Sequence, residues 1–215
     1  MDLQRDGVVR DALGIGAATG AYGLSFGALA VAAGVSVPQA CAMSALMFTG
    51  ASQFAFVGLV GGGAAAAAAT AVLLGVRNGL YGLRLAELLR VRGPRRALAA
   101  QLVIDESTAM AVAREPGRAA RLGFWATGAA VFLCWNLSTL LGALAGDALS
   151  DPRVLGLDAA APAAFVALLA PRLDSREPRV VAALAACAAL ISVSFVPAGV
   201  PVLVAAAVAV GAALR

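Results

Sequence analysis

Apolar runs of roughly 20 residues follow one another along this chain, each enough to cross a hydrocarbon core of about 30 Å. They extend from Ala12 to Ala33, Gln39 to Val60, Ala64 to Leu83, Leu122 to Gly146, Val180 to Val196 and Ala198 to Leu214. None alternates with the period of a barrel strand. Charged residues make up 13% of the chain, against about 25% in a soluble domain. Mean hydropathy is +0.90. The predicted fold class is an all-α polytopic membrane protein, a single transmembrane domain over residues 1–215. About seven to eight hydrophobic segments are expected, with short, broken or re-entrant helices among them.

Two segments fall short of a span. Ala97 to Ala113 carries Gln101, Asp105, Glu106, Ser107 and Thr108, and as a helix it would reach only about 26 Å. Ala159 to Ala170 is interrupted by Pro162. Every positive residue is an arginine, and most fall in three short segments: Arg84 to Arg96, Arg114 to Arg121 and Arg172 to Arg179. That is the pattern of cytoplasmic loops rather than of a nucleic-acid surface. If both segments flanking 97–113 are cytoplasmic, this piece is re-entrant or packed inside the protein. Counting the remaining runs as crossings puts the C-terminus in the cytoplasm and the N-terminus outside. Arg5 and Arg10 stand against the second placement. Asp2, Asp6 and Asp11 precede a run long enough to span, so no cleavable signal peptide is expected.

Glycines crowd the first run. Gly16 and Gly20, and Gly23 and Gly27, are small-xxx-small pairs that let helices approach closely. An internal repeat is suggested by ordered matches. Gly27-Ala28-Leu29-Ala30 recurs as Gly142-Ala143-Leu144-Ala145, Ser36-Val37-Pro38 as Ser150-Asp151-Pro152, and Ala55-Phe56-Val57 as Ala164-Phe165-Val166. Alanine-rich chains also produce such matches by chance. A true repeat would have halves 12–96 and 122–196, in opposite orientations by the crossing count. Inverted repeats place a substrate site at the midplane, lined by broken helices. Gly50-Ala51-Ser52-Gln53, a small and polar interruption of the second run, and Pro162 would be the corresponding breaks.

Histidine is absent, which removes Ser-His and Cys-His catalysis and imidazole metal sites. Cys41, Cys134 and Cys187 lie in apolar runs without metal-ligand spacing, so no metal or cofactor is expected. No Gly-rich Lys-Ser/Thr nucleotide loop occurs. Carboxylates remain for any proton relay. Asp105 and Glu106 either bind a cation or shuttle a proton, or they lie solvated at the interface. Arg77 either binds a carboxylate bidentately or snorkels to the interface. Trp135, Asn136, Ser138 and Thr139 form a polar stripe suited to helix–helix hydrogen bonding. Asp158 is placed to cap a short helix. Tyr22 and Tyr81 read as interfacial anchors.

Five ordered motifs resemble the AzlC family of branched-chain amino acid exporters. They are Ser44 to Phe54, Val76-Arg77-Asn78-Gly79-Leu80-Tyr81-Gly82, Asp105-Glu106-Ser107-Thr108, Trp135 to Gly142, and Gly156-Leu157-Asp158 through Pro162 and Phe165. The resemblance extends over roughly residues 10–210. It implies a secondary transporter subunit, not an enzyme, exporting neutral amino acids such as valine, leucine or isoleucine with proton coupling. It also implies the bacterial cytoplasmic (inner) membrane and a small AzlD-type membrane protein as partner. On that reading the substrate site comprises Gly50, Ala51, Ser52, Gln53, Asn78, Asn136 and Asp158. Asp105, Glu106 and Arg77 would handle charge or protons, and space near Phe54 and Phe56 would take the side chain. Asn78 stands where the family usually has histidine, and Thr49 replaces the usual alanine. If that histidine carries protons in relatives, coupling here differs or rests on Asp105 or Glu106. The rival reading is a non-transporting scaffold or channel subunit.

Overall fold

The computed structural model describes residues 2–148, 166, 169–196 and 200–214. Nine α-helices and no strand occur among these described residues. They are α1 (Asp2–Ala32), α2 (Val37–Leu46), α3 (Ala51–Leu59), α4 (Ala64–Leu89), α5 (Pro94–Gln101), α6 (Asp105–Val112), α7 (Arg118–Ala148), α8 (Arg176–Ser192) and α9 (Val200–Ala213). Within α1, α4 and α7, the stretches Asp6–Ala32, Ala64–Leu89 and Arg118–Ala148 are long and apolar enough to cross a membrane. This is a helical membrane protein.

α1 and α7 form the frame, and glycine sets their separation. Gly16 packs on Ala130, Gly20 on Cys134, Gly23 on Trp135 and Ser138, and Gly27 on Thr139 and Ala143. α7 returns the arrangement, with Gly142 on Leu24 and Gly146 on Ala28. A Cβ at Gly27 or Gly142 would collide with the carbonyl oxygen of Thr139 or Leu24. Lipid tails supply no hydrophobic drive between helices, so close backbone packing of this kind holds them together. The contacts advance in step, which makes the two helices parallel.

The second run is not one helix. It divides into α2 and α3 around Met47–Gly50. α2 leaves the C-terminal end of α1, its first turn set by Pro38 and by Gln39, whose Oε1 accepts from the Ser36 N–H at 2.9 Å. α3 starts beside the middle of α4, where Ser52 lies against Gly75. It ends in the 3-10 turn Val60–Gly62 that leads directly into Ala64 at the head of α4. The far end of α4 gathers with Arg92, Arg95, Arg121 and Trp125 near the start of α7. Hence α3 runs back towards the end from which α2 came.

α5 and α6 repeat this plan from the other end. α5 begins at Pro94 among the same arginines. The chain breaks at Leu102–Ile104, and α6 returns so that Met110 packs on Val8 and Ala12. Arg114 then pairs with Asp11 at 3.6 Å. The stretch 97–113 is therefore packed within the protein, with Ala99, Leu102, Val103, Ile104, Ser107, Met110 and Ala111 buried.

Two expectations change with this geometry. Because α2–α3 turns back, the second run is no crossing, and the α1 N-terminus lies at the same end as the arginine-rich segments 90–96 and 114–121. Arg5 and Arg10 then agree with the loop arginines instead of opposing them. Of the matched segments, 27–30 lies on α1 and 142–145 on α7, which run parallel, while 150–152 and 164–165 lie outside the described residues. The oppositely directed elements are the two hairpins. The 149–165 stretch, including Asp158 and the Pro162 break, lies outside the described residues. α8 and α9 pack on each other and bury no residue.

Candidate functional site

The tips of the two hairpins meet, and each is built the same way. At the first, Gly50 adopts φ 61° and ψ −81°, a backbone state open to glycine. Gln53, fully buried, closes the break: its Oε1 accepts from the Gly50 N–H at 3.0 Å, and its Nε2 donates to the Met43 carbonyl at 3.2 Å. At the second, Ser107 does the same work. Its Oγ accepts from the Ile104 N–H at 3.2 Å and donates to the Leu102 carbonyl at 2.6 Å. In both cases the third residue of the returning half-helix satisfies the backbone of the break.

Two side chains then reach across. Arg77 of α4 donates from Nη2 to the Thr49 carbonyl at 3.3 Å and pairs with Asp105 Oδ2 at 3.0 Å, so it holds both tips. Gln101 donates from Nε2 to the Ala45 carbonyl at 2.7 Å. Together with Gln53, these side chains occupy the carbonyls of Met43, Ala45 and Thr49 around the end of α2. Those oxygens would otherwise be the natural ligands for a cation at an unwound helix.

A cavity of about 370 Å³ opens beside the junction. Its polar wall holds Thr19, Thr49, Arg77, Asp105, Glu106 and Arg172, and its apolar wall Phe48, Phe54, Val131 and Trp135. The aromatic wall is internally braced. Phe26 and Trp135 stack at 6.2 Å between centroids, and Phe54 stands edge-on to both. The two half-helix N-termini differ in charge. α6 begins with Asp105 and Glu106, which offset the positive end of its dipole. α3 has no acidic residue in its first turn, and the N–H groups of Ala51 and Ser52 have no acceptor within the helix.

The expected site residues divide. Gly50, Ala51, Arg77, Asp105 and Glu106 come together at the cavity. Ser52 and Gln53 are buried behind it, and Gln53 is fully used in closing the break. Asn78 lies outside the cavity wall with its Oδ1 unpaired. Asn136 also lies outside, donating to the Phe132 carbonyl of its own helix at 2.8 Å. Asp158 lies outside the described residues.

Arg77 does not snorkel; it points to the middle of the molecule. Tyr22 is 41% exposed and also lines the cavity, and Tyr81 lies beside Asp105. Phe54 is in the cavity wall and Phe56 is not. Thr19, Phe48, Val131 and Arg172 were not singled out from the sequence. The polar stripe on α7 does link helices at one point, where Ser44 Oγ and Thr139 Oγ1 are 3.1 Å apart.

The family model described as AzlC protein matches residues 14–149. The chain belongs to the AzlC family. The match covers both hairpins and nearly all of the frame and stops short of the Gly156–Phe165 motif. An uncharacterized membrane protein of Archaeoglobus fulgidus is 31% identical over 157 residues, which is 72% of this chain and 69% of that protein. No solved structure matches the chain significantly.

Proposed function

We propose that this AzlC-family protein is the large subunit of a proton-coupled secondary transporter exporting neutral, branched-chain amino acids. The observation that carries this reading is the mixed lining of one cavity at the meeting of two opposed half-helix pairs. A zwitterion with an apolar side chain needs an anion site, a cation site and an apolar wall. The free amides of α3 beside Arg77 suit the carboxylate. The acidic start of α6 suits the ammonium group, and Phe48, Phe54, Val131 and Trp135 suit the side chain. The occupied carbonyls around the end of α2 favour a proton over a metal cation as the coupling ion.

The setting is the cytoplasmic membrane of a bacterium, crossed several times. A small AzlD-type protein as partner follows from the family and accords with α8 and α9, which bury no residue within this chain. The test is valine efflux from loaded cells that express the chain with such a partner. Wild type should accelerate efflux, and Arg77→Gln should abolish the acceleration. Efflux no faster than in empty cells, or unchanged by Arg77→Gln, would contradict the reading.

A further inference from the structure

Asp105 and Glu106 are adjacent on α6 but meet different surroundings. Asp105 is committed. Arg77 Nη2 sits 3.0 Å from its Oδ2, and Tyr81 lies beside the same carboxylate. Since Arg77 also holds the Thr49 carbonyl, removing Asp105 from it would break one of the two side-chain links between the hairpins and leave that of Gln101 to Ala45. Glu106 lines the same cavity, meets the Thr19 hydroxyl of α1, and pairs with no arginine among the described residues.

Pairing separates Glu106 from its neighbour. Arg77 and Asp105 are matched to each other, which leaves Glu106 and Arg172 as the charged groups of the cavity wall without an ion-pair partner among the described residues. The charged and titratable groups around it are Arg77 and Tyr81 from α4, Asp105 from its own helix, Tyr22 from α1 and Arg172 from the 3-10 turn Ala170–Arg172. α7 contributes only Val131 and Trp135 to the cavity.

We propose that Glu106 is the exchangeable acid of this cavity: its carboxylate holds either a proton or the ammonium group of the substrate, each excluding the other. Asp105 remains paired with Arg77 as a strut between the hairpins. Protonation turns Glu106 into a neutral acid, which no longer attracts the ammonium group, and the substrate leaves unchanged. Deprotonation returns the proton to water at the cavity mouth and restores the site. Exchange of one proton for one substrate follows, in the direction needed to drive export with an inward proton gradient. This assignment rests on the transport reading given above.

Two measurements on the full chain, co-expressed with its small partner, test it. The first does not depend on transport. A hydrophobic carbodiimide applied to membranes, with the modified residue located by mass spectrometry, should label Glu106 and spare Asp105. Labelling should fall as pH rises. Preferential labelling at Asp105, or labelling of neither residue, would overturn the proposal.

The second measurement is the pH profile of valine counterflow. Wild-type KM should rise as pH falls, approaching about tenfold per unit for one competing proton. Glu106→Gln should flatten this dependence. Asp105→Asn should keep the slope while lowering the amount of folded protein. An unaltered slope in Glu106→Gln, or a flat one in Asp105→Asn, would overturn the assignment. Absence of wild-type counterflow with pH-dependent labelling at Glu106 would remove the transport reading and leave the exchangeable acid standing.

Discussion

The frame and the hairpin tips are held together by opposite means. α1 and α7 meet backbone to backbone through Gly16, Gly20, Gly23, Gly27, Gly142 and Gly146. The tips are held by side chains: Gln53 and Ser107 close each break on backbone groups, and Arg77 and Gln101 link the two hairpins. Glycine packing offers nothing that water or a ligand can replace. A hydrogen bond to a carbonyl can be exchanged for one to water at a net cost of about 0.5–1.5 kcal/mol. The difference teaches how a site can open without loosening the fold, with exchangeable bonds at the centre and close-packed backbone behind them.

Substitutions should separate the two regions by size of effect. Gly27→Leu or Gly142→Leu drives a side chain into a carbonyl of the facing helix, so the loss should exceed about 4–5 kcal/mol, enough to prevent folding. The measurement is the yield of monodisperse protein in detergent, and a well-folded variant would show that the frame is not packed through these glycines. Gln53→Leu strands the Gly50 N–H, at about 1–3 kcal/mol, and removes one of two donors to the Met43 carbonyl, which keeps the Met47 N–H at 2.9 Å. Thermal unfolding in detergent should register the loss. Ser107→Ala leaves the Ile104 N–H and the Leu102 carbonyl without their partner and should cost somewhat less, because a smaller side chain is removed.

Gly50→Ala isolates the backbone contribution. A Cβ there lies 3.9 Å from Trp135 Cη2, an ordinary contact, so the cost should be the strain of this positive-φ backbone alone, about 1–3 kcal/mol. Glu87→Ala is the control away from both regions. Its pair with Arg84 leaves the two side chains 66% and 77% exposed, and stability should change by less than about 0.5 kcal/mol. A larger loss at Glu87 than at Gln53 would reverse the expected ranking.

Much of this architecture was legible because hydropathy and small-residue spacing report directly on packing. The apolar runs became helices, the small-xxx-small pairs of the first run became the frame contact, and 97–113 proved too short to cross. The path of Gln39 to Val60 was not legible. A hairpin of two half-helices has the same apolar length as a span, and only the contacts of Ser52 with α4 reveal the return. The turn back at 47–50 takes one crossing out of the count on which the expected side of the N-terminus rests. Polar residue type also could not separate ligand from brace. Gln53 reads as a binding residue but spends both ends of its amide on the tip, while Asn136 spends its amide on its own helix. Arg77 was ambiguous until its two partners were seen. Thr19 and Val131 lie far apart in sequence and carry no mark of a shared wall.

The central claim is that two hairpins enter from opposite ends and meet at Arg77. Single cysteines at Gly34, Gly61, Arg92 and Glu115, in a background with Cys41, Cys134 and Cys187 changed to serine, test it through labelling by a membrane-impermeant maleimide in oriented vesicles. Positions 34 and 61 should label from one side, and positions 92 and 115 from the other. Labelling of 34 and 61 from opposite sides would make the second run a crossing and contradict the account.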